Sequence, residues 1–139
     1  MVHHLASLNW LSVLLGSLAY FALGAIWYSP MLFVKQWIRL AGINVDDPNA
    51  KKGMVQTMLL SFVMMFLTCV GIGMLRLLHP PATLPESIHY GLMSGFFFAF
   101  TSMSIGYLYT KKPLGLYLID GGYHIVGMTL ASLVMHYVG

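Results

Sequence analysis

The chain has 139 residues, 58% of them hydrophobic and only 8% charged, against about 25% charged in an average soluble domain. A mean hydropathy of +0.77 excludes a soluble globular fold, and the length allows a single domain, residues 1–139, built as one bundle of helices. The net charge of +3 does not point to nucleic acid, because the seven Lys and Arg sit in connections and at helix ends, where basic residues set membrane topology.

A helix needs about 20 consecutive apolar residues to cross the hydrocarbon core. Residues 8–28 are the first such stretch. It is too long for a signal peptide, lacks a basic region before it and ends in WYSP rather than a small-residue cleavage site, so it reads as a retained span. Ser29 and Pro30 then predict the start of an interfacial amphipathic helix over approximately 30–41. In MLFVKQWIRLAG, Met31, Val34, Trp37, Ile38 and Ala41 share one side and Lys35, Gln36 and Arg39 another, before Gly42 ends the helix. Such a helix lies at the headgroups; a bent extension of the first span is the plainer alternative. Asp46, Asp47 and Pro48 read as the cap and first turn of a helix running through AKKG into the second span, residues 54–75. The link LHPPATLPES follows, with Thr83 and Glu86 at capping-box spacing, ahead of a third span over 88–109. Lys111, Lys112 and Pro113 leave almost no loop before the fourth span, 114–138, so the last two spans form an antiparallel hairpin. The expected fold class is an all-α integral membrane four-helix bundle.

Six of the seven basic residues, Lys35, Arg39, Lys51, Lys52, Lys111 and Lys112, fall on one side of these spans and only Arg76 on the other. The positive-inside rule then puts both termini outside the cytoplasm. Cys69 is the only cysteine, which excludes an intramolecular disulfide and a paired-cysteine redox or metal motif.

Small residues mark where helices approach. Gly91, Gly95 and Ala99 recur every four residues in the third span, with Ser102 and Gly106 continuing the stripe, and Ser12, Gly16 and Gly24 lie near one face of the first. In lipid such stripes let backbones touch, either within the chain or between copies in a homo-oligomer. LGAIWYSP at the end of the first span and IGYLYTKKP at the end of the third form a faint repeat. Two hairpins related by an axis along the membrane normal, or simply aromatic belts followed by proline stops, account for it.

The fourth span carries the densest polar group. In LIDGGYHIVG, Asp120 lies about 9 Å and His124 about 15 Å from the start of the span at 1.5 Å per residue. At four residues apart they share a face, with Tyr117 on the same side and Tyr123 beside them. A charge at that depth costs about 2.5 to 3.5 kcal/mol, so the pair should face protein or water and find partners. Three readings stay open: a structural hydrogen bond between helices, a proton-titratable site served by close approach at Gly121 and Gly122, or metal or haem ligation by His124 with Asp120 orienting it. The last needs several chains, since one histidine is too few for a metal site. Metal and cofactor identity are not specified by the residues.

Elsewhere, His3, His4, His79, His89 and His136 gather towards the outer face, without any known ligand spacing. Met54, Met58, Met64 and Met65 are a potential soft-metal path but are more simply adaptable packing. Gln56, Thr57, Ser61 and Thr68 either line a polar seam or bond to their own helix. Nucleophile-elbow, zinc-protease and phosphate-loop signatures are missing, which lowers the case for an enzyme.

GAIWYSPMLF at Gly24 to Phe33, followed by Trp37, and GGYH at Gly121 to His124 resemble the small bacterial membrane proteins of the domain of unknown function 1761 family. The resemblance covers nearly the whole chain and implies an architecture, four spans in a bacterial plasma membrane, rather than an activity. It singles out Trp27, Tyr28, Ser29, Pro30, Phe33, Trp37, Tyr123 and His124. Val34 stands where the family pattern often has glycine, and Asp120 where it often has a neutral residue. The second departure moves weight from Asp120 to His124 and Tyr123 as the shared site.

The expected function is an oligomeric membrane protein that binds or passes a small solute or a proton, with Asp120 and His124 as its titratable site and Trp27 and Tyr28 at the cytoplasmic mouth. The alternative is a non-transporting protein that docks a lipid or another membrane protein. A third is an enzyme acting on a lipid or quinone, which requires a cavity opening sideways to the bilayer near His124.

Overall fold

The structure, a computed structural model, describes residues 5–139; His3 and His4 of the outer histidine group lie outside the described residues. The chain is an all-helical membrane bundle with four helices long and apolar enough to span a bilayer: α1 (Trp10–Trp27), α3 (Met54–Leu78), α4 (Leu84–Tyr109) and α5 (Leu114–Val138), with the short α2 (Val34–Ala41) between the first two. The spans begin and end within a few residues of where the apolar runs place them.

Each start has a local cause. Asn9 caps α1, its side chain accepting from the Ser12 amide, which satisfies one of the open first-turn donors. Thr83 caps α4 by accepting from the Glu86 amide, and Pro85 sits in the first turn. Glu86 reaches back one residue further than the expected capping box, accepting from the Ala82 amide at 2.7 Å. Between α4 and α5, Lys111 takes a left-handed φ of 52°, which lets the chain reverse within the four residues 110–113.

The connection after α1 differs from expectation in two places. α2 begins at Val34 rather than at residue 30, because the Ser29 hydroxyl accepts from the Met31 amide and the Phe33 amide bonds back to the Trp27 carbonyl, holding 29–33 in turns. No helix runs from Asp46 into the second span. Asn49, Ala50 and Lys52 make turn hydrogen bonds back to Asp47 and Asn49, and Gly53 at φ 77° breaks the chain direction before α3 begins. α2 also does not stand apart from the bundle. Leu40 fits over Gly115 at the start of α5, and Trp37 packs edge-on against Tyr28, 5.6 Å between rings.

α5 is the central helix. It has more buried residues than any other span, and it packs along α1 on one side and α4 on the other, with only a light contact to α3. α3 leans mainly on α1, through the Trp10–Phe66 stack and the Phe21–Phe62 edge contact. The order across the bundle is therefore α3, α1, α5, α4, and the middle of α3 faces α4 across a gap.

The small-residue stripes are consumed inside the chain. A Cβ on Gly91 would stand 2.3 Å from the Thr129 backbone, and one on Gly95 2.6 Å from Ile125. Gly16 meets the Ala131 carbonyl, and Gly24 meets the Tyr123 hydroxyl. The stripe does not continue as expected. Residues Ser94–Phe100 form a π-helical stretch, whose wider turn advances the contact face by one residue. Phe100, Met103 and Tyr107 meet α5 instead, while Ser102 and Gly106 are exposed, nothing lies near Gly106, and Ala99 packs beside the core.

Gly91→Ala is expected to destabilise the protein by about 1–3 kcal/mol, the usual cost of overpacking a tight contact. Gly106→Ala should be neutral or raise stability by up to about 1 kcal/mol through helix propensity. Thermal unfolding of both variants in a mild detergent checks the pair, and equal effects would mean that α4 does not use this face.

Candidate functional site

α1 presents Gly16, Tyr20, Gly24 and Trp27 along one face, and α5 answers with glycines where the rings arrive. A Cβ on Gly127 would fall 2.1 Å from the Tyr20 ring, one on Gly122 3.2 Å from Trp27, and one on Gly121 2.2 Å from Phe100 of α4. The glycines of LIDGGYHIVG are thus seats for aromatic side chains from both neighbouring helices. Trp27 completes its seat by donating its indole N–H to the Ile119 carbonyl at 3.0 Å.

Asp120 is buried, with 7% of its surface exposed, and both carboxylate oxygens are occupied. Tyr28 donates to Oδ1 and Tyr107 to Oδ2, each at 2.6 Å. Both bonds are short for O–H···O contacts, and they tie α5 to the end of α1 and to α4. Tyr28 and Tyr107 come from the two segments of the faint repeat. Tyr117 contacts this group through Tyr107, ring to ring at 5.3 Å, rather than touching the carboxylate by hydrogen bond.

His124 has a different partner. Its Nδ1 bonds to the Tyr20 hydroxyl at 2.5 Å, so the sequence-adjacent acid and imidazole are not hydrogen-bonded to each other. Tyr123 is buried between them, donating to the Tyr20 carbonyl at 3.2 Å and resting on the Tyr20, Trp27 and Tyr28 rings. Trp27 and Tyr28 are therefore anchors inside the bundle rather than the lining of a mouth.

His124 and Tyr20 form the floor of a cleft of about 510 Å³. Its walls are Thr57, Ser61, Met64 and Thr68 of α3 on one side and Ala99 of α4 on the other. Because α3 and α4 do not pack together here, the cleft opens sideways, toward where lipid would lie. The Thr57 and Thr68 hydroxyls bond to their own helix, at the Gly53 and Met64 carbonyls, leaving the walls mainly apolar. The second imidazole nitrogen, Nε2, makes no hydrogen bond among the described residues. With Tyr20 donating to Nδ1, the neutral ring keeps its proton on Nε2 and offers it to the cleft.

Tyr20 and Tyr107 are residues of this candidate site that the sequence reading missed. Tyr20 was legible as the residue midway between Gly16 and Gly24. Tyr107 was not, because α-helical spacing from Gly91 and Gly95 leads to Gly106. Among the described residues no three metal-ligating side chains converge, and His79, His89 and His136 do not come together as a site.

The family described as Protein of unknown function (DUF1761) matches residues 11–136. No curated protein and no solved structure matches the chain.

Tyr28→Phe and Tyr107→Phe should each cost about 1–3 kcal/mol, the range for leaving a buried acceptor without its donor. Equilibrium unfolding in detergent measures this. The double variant is expected to depart from additivity, since both phenols serve one carboxylate. Single effects below about 0.5 kcal/mol, the size typical of featureless surface changes, would show that the carboxylate does not depend on this clamp.

Proposed function

Since the chain belongs to this family of unknown function, we propose, from the geometry of its own site, that it is a membrane-embedded binding protein. Its ligand is a lipid-soluble small molecule that enters sideways between α3 and α4. The observation that carries this reading is the laterally open cleft with His124 at its floor. The size suits a small ligand, since such pockets run to about 300–1,000 Å³. Mainly apolar walls over a polar floor select a molecule with a hydrophobic body and a hydrogen-bond acceptor, to which His124 Nε2–H donates.

Asp120 belongs to the scaffold in this reading, because its acceptors are already filled from within the chain. The basic end of the bundle, carrying Lys35, Arg39, Lys51, Lys52, Lys111 and Lys112, faces the cytoplasm by the positive-inside rule. Both termini then lie outside a bacterial plasma membrane.

Transport of a small solute or proton is the second reading. It is favoured by the position of His124 midway along α5 and by the open side of the cleft, which a second copy of the chain would close into a chamber. The glycine stripes give that oligomer no support, being used within the chain.

Native mass spectrometry of the protein released from a mild detergent tests both readings at once. The expected result is a bound apolar molecule that is lost in His124→Ala and reduced by about tenfold in Tyr20→Phe, in line with one hydrogen bond to a polar anchor. A defined oligomer carrying the molecule would favour transport. An empty wild-type protein, or a molecule retained equally by folded His124→Ala, would remove the cleft as a site.

A further inference from the structure

At the opposite end of the bundle from the basic residues, Arg76 has no acidic partner. The chain contains only four acids: Asp46 and Asp47 lie in the connection before α3, Asp120 is held by two phenols, and Glu86 accepts from the Ala82 amide. The Arg76 guanidinium instead bonds to neutral groups. Its Nη1 donates to Ser87 Oγ, Ser132 Oγ and the Ser132 carbonyl, each at 3.2 Å. All three bonds leave from one nitrogen, and Nη2 and Nε make none among the described residues.

A guanidinium carries five N–H donors in a fixed fork suited to two oxygens of one oxyanion. One prong here ties α3 to α4 and α5, and the rest stays available. Arg76 lines a pocket of about 400 Å³ together with His136, Asn9, Ser12, Pro80 and Pro81. His136 Nδ1 lies 3.0 Å from Ser87 Oγ, the same hydroxyl that receives the Arg76 bond. The Ser87 hydroxyl meets the His136 ring at Nδ1 only, which leaves the ring's other nitrogen, Nε2, outside that pair. That nitrogen also has no hydrogen-bond partner among the described residues. Asn9 and Ser12 bring the first turn of α1 to the same pocket, adding the positive end of a helix dipole.

We propose that this pocket binds a phosphate-type anion, gripped by Arg76 and His136. Arg76 lies two residues before the end of α3, at the boundary where the headgroup of an anionic phospholipid and a free phosphate both have access. The site is separate from the cleft over His124, and its occupant need not be the same molecule.

The full chain, delipidated in detergent, is titrated with phosphatidylglycerol by native mass spectrometry. In parallel its thermal midpoint is followed in inorganic phosphate against chloride at equal ionic strength. Binding of one phosphatidylglycerol assigns the anion to lipid; a phosphate-specific rise in midpoint assigns it to a soluble anion. In either arm Arg76→Gln is expected to weaken the response by about tenfold or more, as for loss of a charge-assisted fork. His136→Gln, which keeps the guanidinium and its serine bonds, should weaken it several-fold. Silence of the wild-type protein toward both probes overturns the proposal, as does a folded Arg76→Gln variant that binds like wild type. If Arg76→Gln does not fold, unchanged binding by His136→Gln overturns it instead.

Discussion

Apolar side chains gain little by leaving lipid for one another, so helices in a bilayer associate where their backbones can approach closely and where polar groups bond across the gap. This constraint explains why α5 is the centre of the bundle. Gly121, Gly122 and Gly127 admit the Phe100, Trp27 and Tyr20 rings, and Thr129 and Ile125 fit against Gly91 and Gly95 of α4. The same helix carries Asp120, His124, Ser132 and His136, and each bonds to side chains of neighbouring helices, the last two sharing Ser87 of α4. Close approach and polar bonding thus run along one element, with α1 and α4 on its two sides.

The cleft follows from how those bonds are distributed. At the Arg76 end, α3 is tied to α4 and α5 through Ser87 and Ser132, and the Tyr90 hydroxyl bonds to the His79 carbonyl. Toward the middle, α3 has the Phe21, Phe62, Trp10 and Phe66 contacts with α1 but no comparable tie to α4. The two helices are pinned at one end and separate along their length. A gap in that position exposes His124 while leaving Asp120, nearer the basic end and enclosed by Tyr28 and Tyr107, out of reach.

Much of this was legible in the residues. Apolar run length located the four spans, and the junction after the first span and GGYH carried the family resemblance that the family match bears out. Gly16, Gly24, Gly91 and Gly95 were recognisable as contact positions, although composition did not say whether the partner was the same chain. Two features were hidden for a physical reason. The π-helical stretch at Ser94–Phe100 leaves no mark in α-helical periodicity, so the face that carries Tyr107 to Asp120 was assigned one residue out of phase. The partners of His124 and Asp120 were sought in each other because i, i+4 neighbours on a helix can meet. In the bundle, phenols from other helices occupy those positions first, because a hydroxyl on a long rigid ring spans the interhelical distance that a short acid on the same helix does not.

The division of labour between Asp120 and His124 then bears on which of them is available for chemistry. A carboxylate with a donor on each oxygen has its strongest acceptor directions filled, and a ligand would have to displace a phenol to reach it, leaving that phenol buried without a partner. His124 is in the opposite position: one nitrogen is fixed by Tyr20, which sets the orientation and the tautomer of the ring, and the other faces the cleft. A bonded but unsaturated imidazole is the arrangement by which a protein aims a hydrogen-bonding group at something it does not itself contain. Asp120 is spent on holding the bundle, whereas the imidazole faces a cleft whose threonine hydroxyls are turned back on their own helix, with Ser61 the other hydroxyl on the α3 wall.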